Sequence, residues 1–278
     1  MSESILTPFT ACDGDNLAVR DWPLPRRPSR GVVVLVHGLG EHSGRYEVLA
    51  RRLNQWGFAV RGYDQYGHGE SGGVRGALTW TARLVDDLAD VVESTRKRTQ
   101  PGQPLIVLGH SLGALVAAAA VTQGALTVDG LILSSPPFDP GLNPLQKFLV
   151  ATLPSLLPNL TLGHGLDPGL LSHDPNVVAL YRTDPLVHDR VSARLGRFIA
   201  DAGAQVLAHA AQWTVPTLLM YAGADQLVAP RGSRAFADAA PDQVLTSRCF
   251  DALYHEIFNE LDSQPVYEQL RQWLDQRF

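Results

Sequence analysis

Several features that mark whole classes of protein are scarce or missing here. Only two of the 278 residues are cysteines, Cys12 and Cys249, and they lie far apart. Two such cysteines build no disulfide framework, so a reducing cytoplasm is the simplest setting. Cys249 reads as a buried core cysteine, with a redox-sensitive thiol as the alternative because His255 follows closely. Lysine occurs only at Lys97 and Lys147; arginine supplies the other cations, and acids are interspersed to a net charge of −5. With no basic patch there is no electrostatic footprint for nucleic acid. No run approaches the ~18 apolar residues of a membrane span. The opening MSESILTPFTACDGDN has neither the basic nor the apolar region of a secretory signal. No repeat and no interdomain linker is evident. What remains is 45% hydrophobic and 18% charged, the make-up of a globular chain with a sizeable core. The length suits one large domain or one domain carrying an insertion.

The chain is organised around residues 104–120. Leu105 to Leu108 suit a strand buried on both faces. Gly109-His110-Ser111-Leu112-Gly113 then turns into an Ala/Leu/Val run with good helix propensity. This is G-x-S-x-G between a strand and a helix, the context of a nucleophile elbow. Other apolar strands are expected at 32–36, 58–63, 131–135, 215–222 and 244–250. Helices are expected at 46–56, 80–98, 112–123, 230–240 and 264–277, and one or two short strands surround a turn at 13–16. Alternating strands and helices of this kind predict an α/β fold with a parallel sheet covered on both faces, and chemistry at the carboxyl ends of the strands. His37, Asp64 and Ser111 all lie just past such ends.

The alternation lapses over 137–205. Nine prolines from Pro136 to Pro185 punctuate short helical pieces there. We read 137–205 as an inserted helical cap, with 1–136 and 206–278 forming the core. One cap piece carries Leu145, Phe148, Leu149, Leu153, Leu156 and Leu157. Most of this set is expected to pack on the core. The alternative is apolar surface around a site mouth, offering peripheral contact with a membrane.

A serine hydroxyl needs a base within hydrogen-bond reach, and that base needs an acid to orient it. On a strand–elbow–helix scaffold the chain order is Ser, then Asp or Glu, then His. Of the nine histidines only His255 follows the last sheet strands. Asp225 ends an apolar strand, where a carboxylate is costly unless hydrogen-bonded. Asp242, in a turn-like Pro-Asp-Gln, and Asp251, on the outgoing loop, are its weaker rivals. An oxyanion site needs two N–H donors. One falls to Leu112, directly after the serine, and the other to Leu39, in a His37-Gly38-Leu39-Gly40 loop that lets backbone approach. The bland alternative for His37 and Gly38 is a tight turn. Asp64-Gln-Tyr-Gly-His68-Gly-Glu-Ser71 brings His and Asp close, but no second ligand pair accompanies them. It reads as a hydrogen-bonded turn bracing the oxyanion loop, and no metal or other cofactor is expected.

Three stretches together, His37-Gly-Leu-Gly-Glu41-His-Ser-Gly-Arg45-Tyr46, Gly62-Tyr-Asp-Gln-Tyr-Gly-His-Gly-Glu-Ser-Gly72 and Gly109-His-Ser-Leu-Gly113, resemble monoacylglycerol lipases and bacterial lysophospholipases of the α/β-hydrolase fold. Gly223-Ala-Asp-Gln-Leu-Val228 and Tyr254-His-Glu-Ile-Phe-Asn-Glu260 are similar to that family's acid and histidine blocks. The matches spread over about 30–262. In the cap only its position and Thr183-Asp-Pro-Leu186 correspond. Leu112 and Ala114 stand where the family usually has Met and a further Gly; the backbone N–H of residue 112 is unaffected. The resemblance implies a serine esterase cleaving one acyl chain from a glycerol-like head, with a small lipid ester as its partner. It also implies that Glu41 and Arg45 fix the oxyanion loop or approach the polar head. Taken by themselves these two are surface polar residues at a helix start, and both readings stand. The same triad would serve a lysophospholipid, a thioester or another small ester. A ligand-binding protein on a hydrolase scaffold is the reading from a different class.

Overall fold

Gly31–Val36 (β3) holds five consecutive Val or Leu residues, so neither of its faces can be left to water. The same holds for Leu105–His110 (β5), Gly130–Ser134 (β6) and Thr217–Ala222 (β9), all buried throughout. In the computed structural model these strands form the middle of an eight-stranded sheet. The structure describes residues 4–24, 29–139, 141 and 144–278, with backbone alone over 144–149. Pro25, Pro28, Pro140 and the side chains of Leu145, Phe148 and Leu149 therefore lie outside the described residues.

Ile5–Thr10 (β1) and Asn16–Trp22 (β2) form an antiparallel hairpin, and β2 pairs antiparallel with Phe58–Tyr63 (β4). From β4 the sheet runs parallel through β3, β5, β6 and β9 to Leu245–Phe250 (β10). Register carries the functional consequence. Val36 pairs with Tyr63 on one side and Gly109 on the other, and His110 pairs with Ser134. The carboxyl ends of β3, β4, β5 and β6 thus finish level, and the loops after them open on one edge.

Two core layers hold helices against the sheet. On one face lie Arg83–Arg96 (α2), Leu112–Thr122 (α3), Ala193–His209 (α6) and Pro230–Ala239 (α7), through Leu84, Leu88, Leu115, Phe198 and Phe236 among others. Glu47–Gln55 (α1) and Gln264–Arg277 (α8) cover the other face through Leu49, Leu53, Leu270 and Trp273. Every residue of α3 from Leu112 to Ala120 is buried. That burial all round explains its alanines, since larger side chains would hold it off the sheet and its neighbours.

Between β6 and α6 the chain leaves the sheet for Pro144–Leu156 (α4), Thr161–Gly163 (β7), Pro175–Thr183 (α5) and Arg190–Ser192 (β8). The β7–β8 pair is antiparallel, and the sequence pattern did not signal it. Backbone bonds dock this segment on the core: His188 N–H to Gly40 O at 2.9 Å, Ser192 N–H to Gly76 O at 2.8 Å, and Glu256 N–H to Leu171 O at 2.8 Å. The expectation that the α4 apolar set packs on the core fails at Leu156 and Leu157, which are 77% and 53% exposed. They lie at the last turn of α4 and just past it, where nothing in the core reaches them.

Candidate active site

Ser111 sits between β5 and α3 with φ 50° and ψ −120°, a conformation few non-glycine residues adopt. The two flanking glycines make that turn possible. A Cβ on Gly109 would fall 2.5 Å from Gly113 O, and one on Gly113 would fall 2.2 Å from Val36 O. The elbow is therefore wedged between its own helix and the end of β3.

The loop after β9 places Asp225 and the loop after β10 places His255. Asp225 Oδ2 lies 2.6 Å from His255 Nδ1, and both side chains are buried. Asp225 Oδ1 accepts the N–H groups of Leu227 and Val228, each at 2.9 Å, so the carboxylate is fixed from behind. Burial opposes an imidazolium at His255, but the Asp225 carboxylate outweighs it and holds the group above its ordinary value. Of the rivals, Asp251 instead meets Cys249 Sγ at 3.3 Å. Cys249 is half-buried, and burial together with Asp251 raises its thiol pKa, which favours a quiet thiol over a thiolate.

The 37–40 loop is held by side chains. Gln65 N–H donates to His37 Nε2 at 2.8 Å, which leaves the ring proton on Nδ1 to bond Gly38 O at 2.8 Å. Burial depresses the His37 pKa, so the ring is a neutral strut. Gly38 N–H donates to Glu41 Oε1 at 2.6 Å, and the Tyr46 hydroxyl donates to the same oxygen at 2.6 Å. Gln65 Nε2 also donates to His37 O at 2.7 Å, and Asp64 beside it accepts Ser43 N–H and Glu70 N–H, both at 2.8 Å. Leu39 and Leu112 both line a cavity beside Ser111.

Glu41 and Arg45 are not surface groups. Glu41 is 3% exposed, and Arg45 donates to it and, from two nitrogens, to Glu256 at 2.7 and 2.9 Å. Burial resists charge on Glu41, yet Arg45 and the surrounding donors hold its pKa down at about 2. Sequence reasoning missed Glu256, the neighbour of His255, and Glu260, which accepts Tyr254 N–H at 2.7 Å and bonds His173, from the segment between β6 and α6, at 2.8 Å. Their signal was present in the Tyr254–Glu260 block, but nothing local shows which distant partner a glutamate meets. His110 was also passed over. Its ring lies 4.8 Å from that of His255, and burial lowers its pKa to about 3.

Two cavities meet at Ser111. One, about 520 Å³, is walled by Leu39, Val150, Leu153, Leu162, Ile199 and Leu227. The other, about 40 Å³, sets the charged Glu41, Arg45 and Glu256 beside the apolar Leu166, Leu171 and Leu227. Among the described residues no group of three His, Cys, Asp or Glu side chains is placed to hold a metal ion.

Comparison with known proteins places the chain in a family with this fold. The family profile described as Serine aminopeptidase, S33 matches residues 27–262. A monoacylglycerol lipase of Mycolicibacterium smegmatis is 32% identical over 96% of this chain and 95% of its own. Human monoglyceride lipase is 32% identical over 95% of this chain and 88% of its own. The crystal structure of Paleococcus ferrophilus monoacylglycerol lipase superposes with a TM-score of 0.84 at 34% identity, covering 94% of this chain and 99% of that one.

Proposed function

The chain belongs to the serine aminopeptidase S33 family of α/β-hydrolases, as a serine hydrolase similar to monoacylglycerol lipases, and on that footing we propose that it cleaves a monoacylglycerol to fatty acid and glycerol. The observation that carries this reading is that Ser111 opens both on a roomy apolar cavity and on a small one edged by the charged Glu41, Arg45 and Glu256. An ester with one acyl chain and a small hydroxylated head would set the chain in the larger cavity and the hydroxyls beside those charged groups.

In this mechanism Ser111 Oγ attacks the ester carbonyl while His255 Nε2 takes its proton. Asp225 keeps the other imidazole proton on Nδ1 and stabilises the imidazolium that forms. The N–H groups of Leu39 and Leu112 receive the tetrahedral oxyanion. His255 then passes its proton to the leaving glycerol oxygen, and a water deacylates the serine by the same route. His37 and Gly38 hold the oxyanion loop in register, and Glu41 with Arg45 fixes that loop and borders the head-group cavity. No step calls for a cofactor.

We further propose that 137–205 acts as the cap over the acyl cavity and meets lipid surfaces. Leu156, Leu157, Leu162 and Leu180 are between 53% and 77% exposed on it, more apolar surface than a cap facing only water needs. No helix among the described residues is long and apolar enough to cross a membrane. Sedimentation with phosphatidylcholine vesicles tests the contact: Leu156→Asp with Leu180→Asp should weaken it, and unchanged partition would refute it.

The test of the activity is release of oleate from 1-oleoylglycerol by the wild type and by Ser111→Ala, with thioester and p-nitrophenyl ester substrates in parallel. Rapid turnover of the glycerol ester, lost in the variant, is expected. Retained turnover in Ser111→Ala would overturn the assignment of the nucleophile. A marked preference for a thioester would move the substrate to the broader esterase reading, and covalent labelling without turnover would favour a binding protein.

A further inference from the structure

Arg45 stands at the head-group end of the site with its guanidinium between two carboxylates. Nη1 donates both to Glu41 and to Glu256 Oε1, and Nη2 donates to Glu256 Oε2 at 2.9 Å. Tyr181, from the cap, lies over the guanidinium with its ring centroid 4.8 Å from Cζ. All four residues edge the small cavity that also contains Ser111 and His255, and Asp167 stands on its rim. An arginine alone at such a place would be a receptor for phosphate or carboxylate, because its fork of donors matches them bidentately. Here that fork is filled by Glu256. Two buried carboxylates against one guanidinium leave a surplus of one negative charge, in a setting where solvent screens little.

We propose that Glu256 is a specificity-determining residue: by occupying Arg45 and leaving the pocket negative, it excludes anionic heads such as a phosphate monoester and admits uncharged polyols. The inference rests on the ester-hydrolase reading above and narrows it, separating monoacylglycerols from lysophosphatidates of the same acyl chain. The residue acts on the substrate's charge, so its effect falls on the anionic substrate and not equally on both. Glutamine at 256 keeps the size of the side chain and one acceptor oxygen for Arg45 or for Asn259, whose amide now donates to Glu256 at 2.8 Å.

The experiment compares kcat/KM for 1-oleoylglycerol and 1-oleoyl-lysophosphatidate, presented in the same neutral detergent, for the wild type and Glu256→Gln. The wild type should strongly prefer the uncharged substrate, and added NaCl should narrow that preference. Glu256→Gln should raise the lysophosphatidate-to-monoacylglycerol ratio on the order of tenfold, through KM of the anionic substrate. A ratio unchanged in the variant while 1-oleoylglycerol is still cleaved overturns the proposal. So does a wild type indifferent to the phosphate. A second measurement needs no variant. Glycerol should inhibit p-nitrophenyl butyrate hydrolysis by the wild type at lower concentration than glycerol 3-phosphate, and the reverse order overturns the proposal even if Glu256→Gln does not fold. Failure of the wild type on 1-oleoylglycerol, with p-nitrophenyl butyrate still cleaved and glycerol still the better inhibitor, would count against the substrate reading and leave the charge filter standing.

Discussion

His42 Nε2 lies 2.8 Å from Asp184 Oδ2, joining the loop after β3 to the segment between β6 and α6 across 142 positions of sequence. Gly44 N–H donates to His42 Nδ1 at 3.2 Å, so the ring proton sits on Nε2 and points at the carboxylate. Asp184 belongs to the Thr183-Asp-Pro-Leu186 segment, the one part of the cap whose sequence corresponded to the family. The bond with His42 depresses the Asp184 pKa against the pull of burial. Removing the carboxylate with Asp184→Ala should cost about 1 kcal/mol of cap docking. Limited proteolysis should then cut the 137–192 segment faster while the sheet stays intact, and an unchanged cutting rate would show that the bond is not a latch.

The elbow gives a steric prediction. Gly113→Ala sets a methyl 2.2 Å from Val36 O, a backbone atom that cannot swing aside. We expect a loss of roughly 3 kcal/mol or more, read as a lowered urea midpoint, and activity lost with it. Gly196→Ala is the control. A Cβ there meets nothing within 4 Å, and alanine favours the helix.

With His255 as the proposed base, the acid limb of the rate profile should follow its titration. Its raised pKa comes from Asp225 prevailing over burial, and only the neutral imidazole can take the serine proton. In Asp225→Asn the imidazolium loses its partner, so the pKa falls and the acid limb of kcat/KM should move to lower pH. The plateau should drop on the order of a thousandfold, because the wrong tautomer is then allowed. An acid limb that stays in place would mean another group controls it.

Stability should also fall with pH, through a row of rings, the buried His37 and His68 and the half-buried His188, spaced at 5.3 and 4.7 Å. Burial depresses all three, and His188, with Arg75 nearby, is lowered to about 4. The unfolded chain takes up these protons near pH 6.5. Between that pH and about 4 it binds more protons than the folded chain, so stability is full above about 6.5 and falls with pH through this window. Because His188 is in the cap and His68 in the core, the cap should loosen first. His188→Leu should lessen the drop in urea midpoint between pH 7.5 and pH 5, and an equal drop would dismiss the row as its cause.

The acyl cavity offers a length test. Gly196 lines it from α6 with open space beyond its Cα. Gly196→Leu should fill that space and lower kcat/KM for oleoyl relative to butyryl esters about tenfold, which a series of p-nitrophenyl esters would measure. A parallel loss across the series would mean that the chain binds elsewhere.

The readable parts of this site were those that a local pattern must encode. Gly109 is dictated by a contact within the turn, Gly113 was legible through the G-x-S-x-G pattern although its crowding comes from Val36 O of β3, and chain order alone separated His255 from eight other histidines. The strands that carry them announced themselves by having no polar face. Arg45 and Glu256 were opaque for the converse reason. They are charged residues on segments 211 positions apart, and charge by itself reads as surface until its partner is known. The cap was harder still. Its β7–β8 pair is three residues to a strand, too short for any period to show, and the fate of Leu156 depended on where the core ends.

The helix α6 does two jobs at once. Leu195, Phe198, Ala202 and Val206 lock it into the core, while Ala193, Gly196 and Ile199 form a wall of the acyl cavity. Val150 and Leu153 of α4 complete the wall; α4 rests on α6, where Arg197 donates to Ala151 O at 3.2 Å, and these two side chains belong to neither core layer. Descendants of this enzyme facing new fats would therefore find their freedom lopsided. Mutations on α4 can resize the chamber at little risk to folding, whereas residues of α6 that reach both ways answer to two selections and should change slowly. Tolerance to new chain lengths would be inherited mainly through the cap.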